Sequence, residues 1–192
     1  MVKYLDCKNV LTYLLLFTLL LLTCSGEAAR AVRQKSSVVL VFNNIAATRY
    51  DDKLSAMALE RLQKKLEGIY IEIDAEPYVE DFKDKSFEKA AISELMTKVE
   101  GSGADYFVYA ELQPFVRSES ADLIYYNKGM EAALVLRIVD LKNAKELYNK
   151  KYVMKAEDST DYFFIGSGSV AKKALDSVLF RAGEAISINL PL

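Results

Sequence analysis

Few residues in this chain could do chemistry, and their spacing is particular. Gly166-Ser167-Gly168-Ser169-Val170-Ala171 follows the apolar run Tyr162 to Ile165 and opens an amphipathic helix. It matches the G-x-G-x-x-G/A pattern, in which glycines let a backbone approach a pyrophosphate at a helix start. Such a site also needs an acidic residue about 20 positions further on, ending a second strand, to hold the ribose. Here the residues that follow continue the helix until the sequence stops at Leu192. The pattern therefore reads as a flexible loop with a serine cap, Ser167 or Ser169. Ser86 with Lys89, and Ser169 with Lys172, share the Ser-x-x-Lys spacing that sets a lysine beside the nucleophile of penicillin-recognising acyl enzymes. Neither comes with S-D-N or K-T-G, and in a chain rich in serine and lysine chance explains both.

What is missing decides more. The sequence has no histidine, and its only cysteines are Cys7 and Cys24. Ser-His-Asp and Cys-His nucleophilic sites and the usual zinc ligand sets are thereby excluded. The carboxylates Asp51-Asp52, Glu80-Asp81, Asp158 and Asp161 lie close in sequence at a helix start or in loops. Solvated charge is their ordinary role there, whereas glycoside hydrolysis needs two acids across a cleft. The expectation is a protein that is not an enzyme and that uses neither cofactor nor metal.

Both cysteines sit in or beside an amino-terminal export signal, assigned to residues 1–24. Lys3 and Lys8 flank Asp6, and Val10 to Leu22 is apolar apart from two threonines and Tyr13, a run short of the roughly 20 residues of a membrane span. Leu21-Leu22-Thr23-Cys24-Ser25 resembles a bacterial lipobox, which would make Cys24 the lipid-bearing first residue of the mature chain. Cleavage in the small-residue stretch Gly26 to Ala31 would instead free a soluble protein, and an uncleaved anchor is a third outcome. The protein is expected to be exported, either periplasmic or membrane-anchored and facing the periplasm. With no cysteine pair in the domain, no disulfide framework can hold it and the core must. Setting aside Lys3, Lys8 and Asp6 leaves 23 of the 25 basic residues against 26 of the 27 acidic ones. That balance carries no electrostatic footprint for nucleic acid.

Residues 25–37 read as a polar tether and 38–192 as a single domain. Val38 to Phe42 is a continuous apolar run suited to a central strand and stopped by Asn43-Asn44. Leu54, Ala58, Leu62 and Leu66, widened by Leu59, form a helix stripe that Gly68 ends. Ile69, Ile71 and Ile73 alternate with polar partners as a strand. Ser86 caps a predicted helix to about Glu100 with Ala91, Ile92, Leu95, Met96 and Val99 inward. Asp105 to Arg117 alternates, breaks at Ser118 to Asp122, and is followed by a long strand through Met130, Leu134 and Ile138. A turn at Asn143-Ala144 leads into a strand over 145–155. The order is β-α-β-α-β-β-β-α: an α/β fold whose mixed sheet of about five strands, the last three an antiparallel meander, carries packed helices.

Aromatic residues gather near loops: Tyr125 and Tyr126 open one strand, Tyr148 and Tyr152 lie on the next, and Tyr162, Phe163 and Phe164 precede the last helix. Tyrosine offers contact area with a polar tip, so Tyr125, Tyr126, Tyr162, Phe163 and Phe164 are the candidate partner-binding residues. The competing reading places them on the sheet's second face or in the core beneath the last helix.

Residues 104–111, ADYFVYAE, followed by 134–148, LVLRIVDLKNAKELY, resemble a recurring strand and hairpin of bacterial envelope proteins. The pattern is similar to CsgG-like and LpoB-like lipoproteins and to the amino-terminal domain of TolB, with Ala110 and Ala144 standing where members often have glycine. That resemblance implies an exported, non-catalytic α/β domain that binds another envelope protein, and it leaves an oligomer open. One member forms an oligomeric pore with long hairpins, for which 114–130 and 157–168 look too short and polar. A carrier or binding module for a small lipid or glycan is the alternative, and an enclosed apolar pocket under Tyr162 to Phe164 would favour it.

Overall fold

A computed structural model describes residues 35–46, 51–121, 126–160 and 167–191, and the signal and most of the tether lie outside them. Ten elements follow one another: β1 (Ser37–Asn44), α1 (Asp51–Leu66), β2 (Ile71–Ile73), α2 (Glu76–Val79), α3 (Ile92–Lys98), β3 (Tyr106–Leu112), β4 (Val116–Ala121), β5 (Tyr126–Asp140), β6 (Lys145–Thr160) and α4 (Ser167–Asn189). The six strands form one mixed sheet with helices packed against it, as the hydrophobic periodicity predicts.

Strand β1 lies between β2 and β3, parallel to both. Its run of valine, leucine and phenylalanine is buried on both faces because the two connections pass over opposite sides. The chain moves from β1 outward to β2, then back past β1 to β3. Right-handed crossovers in opposite directions put α1 on one face and residues 74–105 on the other. Under α1 and α4, Val38, Leu40, Val108, Ala110, Leu134, Leu136 and Ile138 meet Ala58, Leu62, Leu66, Leu175 and Val178. On the second face, Val39, Val41, Phe107, Tyr109 and Val139 meet Phe82, Phe87, Leu95 and Val99.

Strand β5 is the long axis of the sheet. One of its edges pairs with β6 throughout, while the other pairs first with β4 and then with β3. Strands β3 and β4 are thus two parts of one path, interrupted at Gln113, Pro114 and Phe115, where Pro114 has no N–H to give the ladder. Gln113 still donates its backbone N–H to the Ala133 carbonyl at 2.9 Å. Counting β3 and β4 as one path reconciles the six strands observed with the sheet of about five strands expected.

Four expectations are corrected. Asn43 and Asn44 end β1 from within it, and Asn43 is buried. The helix predicted from Ser86 is only Ile92–Lys98, since Ser86 and Phe87 are committed to a buried carboxylate. Ala91, predicted inward, is exposed; the anchors of this face are Phe82 and Phe87, whose rings lie 5.1 Å apart edge to face. The isoleucine alternation yields only a three-residue edge strand, Ile71–Ile73, and Ile69 before it and Ile71 on it stay exposed. Residues 118–121, read as part of a break, belong with Val116 and Arg117 to a strand that pairs with β5.

Candidate functional site

The residues singled out for chemistry are taken up by structure. Ser86 donates its hydroxyl to Glu111 Oε1 at 2.7 Å, which engages it away from any nucleophilic pairing with Lys89. Gly168 and Ala171 lie inside α4, while Gly166 is outside the described residues. Asp158 pairs with Lys173 at 3.2 Å and Glu80 with Lys83 at 3.3 Å, both at the surface. Among the described residues no three carboxylates or thiols gather into a metal-sized group, and no helix is long and apolar enough to cross a membrane.

The most polar part of the interior lies on the second face. Glu111 is 0 % exposed, and its carboxylate accepts from Ser86 Oγ, from the Phe87 N–H at 2.7 Å, from the Tyr109 hydroxyl at 2.5 Å and from the Gln113 amide. Asn43 Nδ2 donates to the Tyr109 oxygen at 3.0 Å and to the Lys85 carbonyl at 2.8 Å. Burial, reinforced by the bond to Glu111, pushes the Tyr109 phenol far up, so it stays a donor. Arg137 donates to the Phe87 and Ala90 carbonyls at 2.9 and 2.7 Å and pairs with Glu146 at 2.6 Å. Three strands therefore hold the irregular segment 85–90 by its main chain. The alternation in 105–113 places Glu111 on this face, but no local signal shows that a loop would satisfy it.

Beyond this body the sheet projects. Strands β5 and β6 have 15 and 16 residues against eight in β1 and seven in β3. About eight residues of β5 therefore pass the end of β3, a reach of roughly 25 Å. They form a three-stranded extension with β4 and β6. On the first face α4 begins alongside it, as the Lys173–Asp158 pair records. There Lys128 is buried, its ammonium 3.8 Å from Glu119.

The extension's second face lies past the end of the 74–105 segment and is exposed. An open cleft of about 430 Å³ there is lined by Ser118, Ser120, Asn127, Lys155, Glu157 and Ser159 around Gly129. A Cβ at Gly129 would lie 2.3 Å from Ser118 Oγ and 3.3 Å from Lys155 Cε, so the glycine leaves room for these side chains to converge over it. Hydroxyls, an amide and the Lys155–Glu157 pair can donate to and accept from a polar surface. They contain no base–nucleophile pair.

The aromatic candidates divide between these regions. Tyr148 and Tyr152 join the core beneath α4, with their hydroxyls hydrogen-bonded to each other; burial and that bond push the Tyr152 phenol up. Tyr126 opens β5 opposite Ala121 and Thr160, so the tip of the extension is where the chain departs toward the other candidates. The side chain of Tyr126, and Tyr125, Tyr162, Phe163, Phe164 and Cys24, lie outside the described residues.

No protein-family model matches the chain, and no curated protein is significantly similar to it. Among solved structures it is similar to the hypothetical protein CT253 from Chlamydia trachomatis, at 15% identity over 81% of this chain and 99% of that one, with a TM-score of 0.45. It is also similar to the lipoprotein GNA1162 from Neisseria meningitidis, at 16% identity over 78% and 99% with a TM-score of 0.41. For the LpoB C-terminal domain from Salmonella enterica the values are 10%, 65% and 86%, with a TM-score of 0.34. At these values the likeness concerns the path of the chain alone.

Proposed function

We infer that this chain is an exported, non-catalytic accessory protein of the bacterial envelope, and that it binds another envelope protein through the extension of its sheet. The observation that carries this reading is the uncovered second face of β4, β5 and β6, a polar surface held out on two long strands. The signal-like amino terminus and the strand-and-hairpin motif support export and the envelope. A small-ligand carrier is the weaker reading, because the cleft around Gly129 is open and polar where a carrier site is mostly apolar and encloses its ligand.

Photo-crosslinking amino acids at Ser118, Ser120 and Asn127, introduced in cells, test the surface. The expected outcome is one recurrent protein adduct at these positions that is absent when the crosslinker replaces Glu94 on α3. Equal adducts at both places, or none at the extension, would overturn the reading. Mass spectrometry of the mature amino terminus then separates a lipidated Cys24 from cleavage between Gly26 and Ala31.

A further inference from the structure

Two edges of the sheet, β2 and β6, differ in the charge they carry, the first bordered by carboxylates alone and the second bearing Lys150, Lys151 and Lys155 beside Glu157. Beside β2 a groove of about 920 Å³ opens between α1 and α2, with Leu40, Phe42, Leu59, Ile73 and Val79 in its lining. Every charged residue that lines it is acidic: Glu72, Asp74, Glu76 and Glu80. Glu72 accepts from the Gln63 amide at 2.6 Å and Asp74 from the Glu76 N–H at 3.0 Å. Of the four, Glu80 alone has an ion-pair partner among the described residues, its neighbour Lys83.

At the other side of the sheet, β6 pairs with β5 alone among the described residues. Its exposed face alternates Lys151, Val153 and Lys155, with Val153 49 % exposed between the two lysines. Lys150, on the opposite face, lies 5.4 Å from the centre of the Tyr152 ring. Lys151 meets Glu88 at 3.4 Å and Lys155 meets Glu157, but both are solvent-exposed pairs that contribute little.

We propose that a second copy of this chain docks its β6 edge against the β2-edge groove. Val153 enters the apolar lining, and Lys150, Lys151 and Lys155 face the four carboxylates. Charge selects this arrangement over its rivals. Two β6 edges would bring lysines together and two β2 edges would bring carboxylates together; of the pairings between these edges, the unlike one attracts. Lysines on an edge strand often serve to block pairing. Here the charge that blocks like edges favours the unlike one. The contact is heterologous, so a pair keeps one free edge of each kind and assembly passes beyond a dimer, into a ring or an open chain. Glu72 and Glu76 lie at the edge of the sheet away from β6, so their variants separate this inference from the partner reading.

Sedimentation of the full-length chain in mild detergent, over a series of concentrations and salt, tests it. The mass is expected to rise past that of a dimer at low salt and to fall as salt screens the edges. Lys151→Thr/Lys155→Thr should weaken self-association at least about tenfold. Lys151→Glu/Lys155→Glu and Glu72→Lys/Glu76→Lys should each stay monomeric alone and assemble when mixed, because each then offers the other an unlike edge. A chain that is monomeric throughout, a salt-insensitive assembly, or a mixture that stays apart would overturn the inference. So would tighter association of the threonine variant, which edge-guarding lysines alone predict.

Discussion

The body of the sheet and its extension use the same strands under opposite conditions. In the body, β1, β3 and the second half of β5 are covered on both faces, and what lies between the layers is fully committed. Phe82, Phe87, Phe107 and Tyr109 stack ring against ring, and Glu111 spends its lone pairs on four donors. In the extension, the first half of β5 keeps both neighbouring strands but loses one covering layer. The hydrogen-bond ladder continues there with side chains free to meet something else. Rigidity and availability are thus divided along single strands.

This contrast can be broken most severely at Phe82. Phe82→Ala removes the ring that touches three others in a fully buried position and should cost about 3–5 kcal/mol in chemical denaturation. Next is Glu111→Ala, which leaves the Phe87 N–H and Tyr109 hydroxyl buried without their acceptor and should cost about 3 kcal/mol. Both should leave capture at the extension measurable below the melting temperature if the two regions are separate. Acid provides a milder probe of the body. The Lys142 ammonium and the Ser37 N–H hold the Asp105 carboxyl below its usual range. Burial opposes the charge of Asp140, but hydrogen bonds from Asn143 win and lower it too. Stability from both is complete above the ordinary value of 3.8 and is lost as pH falls below it. Melts at pH 7 and pH 3 should show that loss, and Asp105→Asn should shrink it.

A smaller effect has the opposite sign. Ala144 holds a φ of 49°, a conformation that penalises a Cβ, so Ala144→Gly should raise stability by about 0.5–1 kcal/mol. Least of all, Ser118→Asp/Ser120→Asp on the exposed face should change stability by no more than about 0.5 kcal/mol while abolishing crosslinked capture. A large loss of stability there would mean that the extension is part of the core.

The body was largely legible in the sequence because its periodicities are strong. Val38 to Phe42, the α1 leucines and the alternation of 106–113 each fit one environment. Legibility failed where the controlling partner is distant in sequence. Ser86 resembles a helix cap locally but answers to Glu111, 25 residues away, and Asn43 resembles a strand stop but reaches Tyr109 and Lys85. Most of β4 was missed, its residues 118–121 reading as a break, because Val116-Arg-Ser-Glu-Ser-Ala121 has no apolar face. A strand exposed on one side and backed by charge on the other gives no alternation to read, and only pairing with β5 makes it one. Of the candidate site, the aromatic spacing gave no sign of the Gly129 cleft, whose polar side chains come from three separate strands.

The interruption at Gln113 to Phe115 has a mechanical consequence. A pull at the tip of the extension is shared by three strands, but only β5 and β6 run on into the body as continuous strands, down to their turn at residues 141–144, with one register shift at Ile138 and Val139. Along them the load falls in shear on a ladder of many hydrogen bonds acting together. On the side of β4 it meets a seam at Pro114, where that strand can peel without tugging β3 out of register. The extension thus has one rail continuous with the body and one that is interrupted where it reaches the body.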